Sequence, residues 1–287
     1  MDAKVEFPQA ALAAGSRGAR LPRRWTGDRV TSIFALALAF PLAARLYESG
    51  TAFLPLLAGS LVVAIGWTLL FTRLRGKDMN WHAAPTALVF SLLAPPDLPL
   101  WQALLSLSFG LVLGEQVFGG RGYAFLSPAV AALAFLFFSF PATSAGQMAS
   151  PLVALAVAPG ALLLLAAGLI SWRILLAAAI GFLGWMALKG LGLPSPELLT
   201  ASLALGLVHL VCEPTSAAAT NPGRWAYGFL AGALTVVLGE AGQGIGSTAA
   251  VVFAALLVSM FAPLIDRIVV LVNVNRRRRR AWPTSTR

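Results

Sequence analysis

The sequence predicts an all-α polytopic membrane protein with about ten transmembrane helices. Three observations support this: 58% of the 287 residues are hydrophobic, only 11% are charged, and the mean hydropathy is +0.80. Soluble domains carry about 25% charged residues, so this chain has too few polar side chains to cover a water-soluble fold. A soluble enzyme and a nucleic-acid-binding domain are therefore excluded.

Ten apolar segments approach the length of about 20 residues that a helix needs to cross a bilayer. Several are short, which indicates strong tilt or breaks near proline; the third ends at Pro95 and the eighth runs into Pro214. The ten segments are 30–47, 52–72, 82–96, 101–118, 122–141, 150–170, 174–190, 198–212, 225–240 and 248–271.

The basic residues predict the topology. With the N-terminus in the cytoplasm, 19 of the 21 Lys and Arg residues fall on the inner side, and only Arg45 and Lys189 fall toward the outside. This excess follows the positive-inside rule, and an odd number of spans would destroy it. We therefore predict a cytoplasmic basic tail (1–29), a ten-helix membrane domain (30–271) and a cytoplasmic Arg-rich tail (272–287). Both tails are expected to contact anionic membrane lipid.

Ten spans divide into two groups of five, and an odd-numbered repeat must insert in the opposite orientation. The sequence is therefore consistent with two inverted five-helix repeats, an arrangement that builds midplane sites from broken helices in many transporters. Gly110 with Gly114, and Gly228 with Gly232, form two GxxxG pairs. We interpret both pairs as helix-packing positions.

Few residues indicate catalytic or metal chemistry. The single cysteine, Cys212, excludes an internal disulfide and any Cys-based zinc or iron–sulfur cluster made by this chain alone. His82 and His209 lie 127 positions apart and form no local ligand pair. No catalytic triad, zinc motif or Walker loop is visible, so no catalytic residue and no metal site is predicted. Composition alone indicates a transporter, a channel or a redox subunit.

Three acidic residues near helix ends are candidates for function. Glu115, Glu213 and Asp266 lie close to the inner ends of spans four, eight and ten. Acids in or near hydrocarbon are costly and deserve a functional hypothesis. One interpretation is a cation path or a cofactor contact. The other is helix capping or ion pairing, with Arg121, Arg224 or Arg267 as the candidate partners.

Two stretches of small residues follow helix ends. One contains Gly119, Gly120 and Gly122, and the other begins with Thr215 and Ser216. Irregular backbone persists at membrane depth only where protein or a cavity satisfies its polar groups. Free N–H groups at helix starts suit a phosphate, such as that of flavin mononucleotide (FMN). Tight turns without a ligand are equally consistent with these residues.

Three stretches, in the same order, resemble the RnfD/NqrB family of membrane subunits of ion-motive redox complexes. Ser127 stands where that family has Asn, and Glu213 stands where it has Asp, with one residue missing from the second motif. The matching stretches are QVFGGRG (116–122) with SPA (127–129), EPTS (213–216) with GR (223–224) and YG (227–228), and APLIDR (262–267).

The resemblance implies a membrane subunit that passes electrons through flavin within a larger complex of the bacterial inner membrane. It implies FMN, a possible second flavin, a reductase partner and other membrane subunits. It also implies an acceptor such as a quinone, and coupling to Na⁺ or H⁺ movement. The predicted inner loops are too short for a nucleotide-binding domain, so NAD(P)H oxidation would occur on a partner.

Many members of the family carry FMN joined through its phosphate to a Thr at the outer face. In the matching segment, 147–152 (QMASPL), Ser150 stands where Thr is expected. The resemblance therefore makes Ser150 a candidate for an FMN phosphoester, with Thr143 a poorer one. The alternative is that Ser150 is the N-cap of span six, with Pro151 at the first helical position.

Two further functions compete with the redox interpretation. A solute channel or transporter on a related inverted-repeat fold would explain the altered flavin motif and the broken helices. A cofactor-free scaffold would anchor partner proteins through the Arg-rich tails. Bound flavin distinguishes the redox subunit from both.

Overall fold

The computed structural model describes residues 27–76, 81–120, 124, 126–141, 150–190, 200–242 and 244–281, and every regular element in them is helical. The all-α prediction is confirmed for these residues. The predicted site residue Gly122 and the second ester candidate Thr143 lie outside them, as do the first 26 and the last six residues. The helices are α1 Gly27–Ser49, α2 Leu54–Arg75, α3 Ala83–Leu93, α4 Leu100–Leu111 with a π-helical end Val112–Gln116, α5 Pro128–Ser139, α6 Pro151–Ala166, α7 Trp172–Leu188, α8 Ala201–Leu205 with a π-helical end Gly206–Val211, α9 Asn221–Ala241 and α10 Thr248–Ala281.

The helices fall into long and short classes. Two stretches, Gly27–Arg75 and Thr248–Arg277, are long and apolar enough to cross a membrane by length and composition. By contrast, α3, α5 and α8 have 11 or 12 residues. At 1.5 Å per residue they reach about 16–18 Å, well short of a hydrocarbon core of about 30 Å. The predicted ten helical segments therefore occur, but the number of membrane crossings stays a prediction.

Helix α10 extends further than its predicted span. It continues to Ala281, ten residues beyond 271, so the beginning of the predicted C-terminal tail is helical. Its last described side chains, up to Arg277, are exposed. Charged residues on a continuing helix can carry the chain out of an apolar layer without a break.

The short helices form the interior and the long ones surround them. Nearly every residue of α3, α5 and α8 is buried, whereas the outer helices expose large apolar side chains, among them Val62, Leu155 and Leu162. Such an apolar exterior is suited to lipid rather than water. Because protein encloses the short helices, the polar groups at their ends need not face hydrocarbon.

Glycines allow α7 and α9 to meet backbone to backbone. A Cβ atom on Gly228 or Gly232 would overlap a carbonyl oxygen of α7, and one on Gly181 would overlap the carbonyl oxygen of Phe229. On α4, Gly110 is pressed against Ala132 of α5 in the same way. The packing interpretation of the two GxxxG pairs is confirmed by these contacts.

The helix ends gather into two opposite sets. At the first, which we call the basic end, the starts of α1 and α3 meet through a hydrogen bond between the Thr31 hydroxyl and the His82 ring. The ends of α2 and α4 meet there as well, because the Arg75 guanidinium donates to the carbonyl oxygen of Gln116. Odd-numbered helices start at this end and even-numbered helices finish there.

The opposite end repeats the pattern in reverse. Lys189 and Glu240, whose charged atoms are 3.2 Å apart, join the ends of α7 and α9. The Thr200 hydroxyl donates to the carbonyl oxygen of Gly246 at 2.9 Å, which joins the starts of α8 and α10. Successive helices therefore alternate in direction throughout the described chain.

The helix pairs of the first half have counterparts in the second. Helix α2 packs on α4 as α7 packs on α9, α4 packs on α5 as α9 packs on α10, and α1 packs on α3 as α6 packs on α8. Helices α1 and α6 contact each other across the middle, where Gly160 approaches the carbonyl oxygen of Ala37.

Candidate functional site

Two of the predicted acids line one small cavity at the basic end. Glu115 lies in the π-helical end of α4 and is 5% exposed, and Glu213 follows the end of α8. They share the cavity with the side chains of Thr86 and Thr215. Its volume of about 10 Å³ is room for roughly one water molecule or one bare ion.

The electrostatics of this cavity favour a positive occupant. Two carboxylates facing one confined space repel each other unless a proton or a cation lies between them. The hydroxyl of Thr215 already donates to a carboxylate oxygen of Glu213 at 3.0 Å, which fixes one wall. Carboxylate and hydroxyl oxygens are the ligands that hard cations prefer.

The predicted glycine stretch is a helix C-terminal turn. Gly119 and Gly120 have φ angles of 112° and 102°, which side-chain-bearing residues rarely adopt. Their N–H groups donate to the carbonyl oxygens of Gln116, at 3.2 Å, and Glu115, at 3.1 Å. Since these amides are already bonded at the negative end of a helix, the geometry fits a tight turn better than a phosphate cradle.

The second stretch brings one free hydroxyl to the same region. Ser216 is 5% exposed and its Oγ has no hydrogen-bond partner among the described residues. Thr215, beside it, is exposed. Of the predicted cofactor contacts, Ser216 is therefore the one with unused hydrogen-bonding capacity, and a buried polar group of this kind is costly without a partner.

Asp266 ties α10 to the start of α9. Its carboxylate accepts from the backbone N–H of Ala219 at 2.7 Å and of Thr220 at 3.0 Å, and also from the Thr220 hydroxyl. Thr220 in turn caps α9 by accepting from the N–H of Gly223 at 3.2 Å. The capping interpretation describes these contacts, although the bonded partners are backbone groups rather than the arginines we considered.

Ser150 lies at the opposite end, away from the acids. Its Oγ accepts from the N–H of Val153 at 3.1 Å and caps α6, directly before Pro151. The same oxygen donates to both carboxylate oxygens of Glu48 at 2.6 Å, and Ser150 is 7% exposed.

This arrangement does not fit an FMN phosphoester on Ser150. An esterified oxygen has no proton to donate, and the phosphate would bring negative charge against Glu48. An ester would therefore need Glu48 to move away or to be neutralised. The contacts of Ser150 are those of a helix N-cap.

Sequence reasoning missed several buried polar groups. Neither ring nitrogen of His209 has a described hydrogen-bond partner, and neither has the hydroxyl of Tyr227, although both residues are buried. It also missed Glu48 as the partner of Ser150, and Thr86 as a wall of the acidic cavity. A carboxylate at the C-terminal end of span one was the only signal for Glu48, and nothing local marked Thr86.

The comparisons with known proteins agree with this architecture. A family model described as the NQR2, RnfD, RnfE family matches residues 21–151 and 143–275. This chain belongs to the NQR2, RnfD, RnfE family. The predicted resemblance is therefore confirmed over most of the sequence.

Curated relatives in this family carry one name, that of the NqrB subunit of the Na⁺-translocating NADH-quinone reductase. The relative from Ectopseudomonas mendocina (strain ymp) is 31% identical, over 78% of this chain and 68% of the relative. The relative from Yersinia pestis is also 31% identical, over 83% of this chain and 71% of the relative. Family, composition and apolar exterior together identify a membrane protein.

Proposed function

We propose that this chain is a membrane subunit of an ion-translocating, flavin-dependent electron transport complex. A reductase partner supplies electrons, and flavin held by this chain passes them to an acceptor such as a quinone. Movement of Na⁺ or H⁺ is coupled to that transfer. The family and the relatives named for Na⁺-translocating NADH-quinone reductase support the redox role. The chain's own geometry supports the ion role.

The observation that carries the proposal is the cavity between Glu115 and Glu213. It joins the irregular ends of α4 and α8, one from each half of the chain, as midplane ion sites do in transporters with broken helices. Its size suits a proton carrier or a dehydrated monovalent cation and excludes a flavin ring. In this proposal, Glu115 and Glu213 form one step of the ion path and Asp266 is a structural acid.

We propose that FMN is bound without a covalent bond to Ser150. The hydrogen bonds of Ser150 to Glu48 and Val153 support this form. When bound, the flavin supplies the one-electron and two-electron chemistry, and the protein supplies orientation. Gly119, Gly120, Gly122, Thr215 and Ser216 remain the proposed contacts for this flavin, and a second flavin remains part of the proposal.

The proposed membrane arrangement has ten crossings, two inverted five-helix repeats and both tails in the cytoplasm. The alternating directions of successive helices and the matching helix pairs of the two halves support it. The tails 1–29 and 272–287 carry most of the basic residues, which favours a cytoplasmic position.

The ion path is tested in membrane vesicles that contain the assembled complex. Glu115→Gln and Glu213→Gln are each expected to lower ion movement per electron by about tenfold, equivalent to about 1.4 kcal/mol. Electron transfer and subunit assembly should persist. Glu240→Gln, at the opposite end, is the matched control. Unchanged ion movement in both cavity variants would refute the ion path.

The flavin is tested by the visible spectrum of the purified protein before and after acid precipitation. Flavin released to the supernatant is the expected result. Flavin retained in the precipitate, and lost in Ser150→Ala, would instead establish the ester. Absence of flavin from protein produced with its partners would favour the channel or transporter alternative.

A further inference from the structure

A second cavity, of about 160 Å³, opens at the basic end between the α6–α7 turn and the α8–α9 loop. Most of its wall is apolar, with Ile170, Ile174 and Pro214 among the lining residues. Arg224, in the first turn of α9, is the one charged residue among its described lining. An apolar cavity with a single guanidinium suits a ligand that has one anionic group and an uncharged remainder.

The guanidinium of Arg224 keeps unused donors. Its Nε donates to the carbonyl oxygen of Ala218 at 3.2 Å, which holds the group in the cavity wall. Asp266 attracts it electrostatically, but the oxygens of that carboxylate are already bonded to Ala219 and Thr220. No further partner of Arg224 is present in the part of the chain that the structure describes. Arginine has five N–H donors, so a phosphate can still bind.

Two helix N-termini add to the positive potential at this cavity. The contacts of Gly228 with Ile174 and of Gly232 with Ala178 run in the same direction, so α7 and α9 are parallel and start side by side. Arg173, in the first turn of α7, reaches across and donates to the side-chain oxygen of Asn221 at 3.0 Å. Paired helix starts with two arginines form a site that attracts anions.

Two tryptophans at this place indicate where the ligand comes from. The rings of Trp172 and Trp225 meet edge to face, 6.0 Å apart, and are 52% and 38% exposed. Exposed tryptophans at the ends of membrane helices lie at the level of lipid headgroups. Basic pockets between helices on the cytoplasmic side bind the headgroups of anionic lipids.

We propose that this cavity binds the headgroup of an anionic phospholipid of the phosphatidylglycerol class. The phosphate pairs with Arg224 and the uncharged glycerol occupies the apolar cavity. Trp172 and Trp225 flank the point where the acyl chains leave. The site is separate from the acidic cavity and from the Arg-rich tails, so it does not depend on the proposed ion path.

The test uses the full-length chain in detergent, stripped of lipid, with dioctanoyl phosphatidylglycerol as the probe. Native mass spectrometry counts bound lipid, and the melting temperature reports the stabilisation that bound ligand gives. One phosphatidylglycerol per chain should bind and raise the melting temperature, whereas dioctanoyl phosphatidylcholine and inorganic phosphate at equal concentration should not. Arg224→Gln should weaken binding by about tenfold, the effect of losing one charge-assisted contact.

A second variant keeps the test decisive if Arg224→Gln does not fold. Ala217→Phe fills the cavity, of which Ala217 is a lining residue, and leaves the guanidinium in place, so it should also weaken lipid binding. Arg276→Gln, exposed on the tail of α10, is the control and should bind as the parent does. The proposal is overturned if both cavity variants bind phosphatidylglycerol like the parent, if inorganic phosphate stabilises equally well, or if Arg224→Gln loses flavin instead of lipid.

Discussion

Single carboxylates hold distant parts of this chain together. Asp266 of α10 accepts hydrogen bonds from the backbone of Ala219 and from Thr220, and Glu48 of α1 accepts one from Ser150. In each case the carboxylate reaches a residue that comes directly before, or itself caps, the start of another helix. An acid placed there satisfies donors that a helix start leaves open and is favoured by the helix dipole.

Replacing Asp266 by Asn should destabilise the protein. The amide has one acceptor oxygen instead of two, and its NH₂ group would face a backbone N–H, so we expect a loss of about 1–3 kcal/mol and a lower melting temperature. Asp97→Asn, in an exposed loop, is the control and should leave the melting temperature unchanged. Equal melting temperatures for the two variants would contradict the anchoring role of Asp266.

At the residue scale, the sequence was sufficient where the chemistry is local. Ser150 before Pro151 predicted an N-cap, and the structure has one, because cap bonds join residues three apart. The partner of the same hydroxyl, Glu48, is 102 positions away. No local pattern encodes that contact, because it depends on α1 and α6 packing together.

At the scale of helices, small residues decide which surfaces meet. Gly181 of α7 lies against the carbonyl oxygen of Phe229, whereas Gly184, one turn further along the same helix, faces open space. The GxxxG spacing predicted close packing but not the partner helix. Likewise, Pro95 and Pro214 indicated shortened spans, but enclosure of α3 and α8 by protein required the complete fold.

The two glycines of α7 provide a matched pair of substitutions. Gly184→Ala should stabilise the helix slightly, since alanine is favoured over glycine by up to about 1 kcal/mol in a helix. Gly181→Ala should destabilise the protein by about 1–3 kcal/mol, because its methyl group overlaps the α9 backbone. Melting temperatures in detergent measure both effects. Similar shifts for the two variants would argue against the close contact of α7 with α9.

At the scale of the molecule, the alternating helix directions agree with the charge-based topology. Contacts alone sort the helix ends into two sets, and the arginines Arg73, Arg75, Arg173 and Arg224 all belong to the first set. Charge counting reached the same partition because it reads a sum over the whole chain. It could not give the lengths of α3, α5 and α8, which packing determines.

Phosphatase fusions test this topology. A fusion after Gly190, beyond the end of α7, should be active because the enzyme matures only outside the cytoplasm. Fusions after Gly168 and after Arg287 should be inactive, since both points belong to the predicted cytoplasmic side. Enzyme activity in whole cells, normalised to fusion protein level, measures the outcome. An active fusion at Arg287 would overturn the predicted topology.

The glycine contact between α7 and α9 also constrains how the protein is made. These two helices are neighbours in space but are separated along the chain by α8. When α8 leaves the ribosome, α9 and α10 do not yet exist, and an 11-residue helix is too short to lie stably across lipid alone. Its final burial must therefore wait for translation of the last two helices, so the interior of the protein closes only at the end of synthesis.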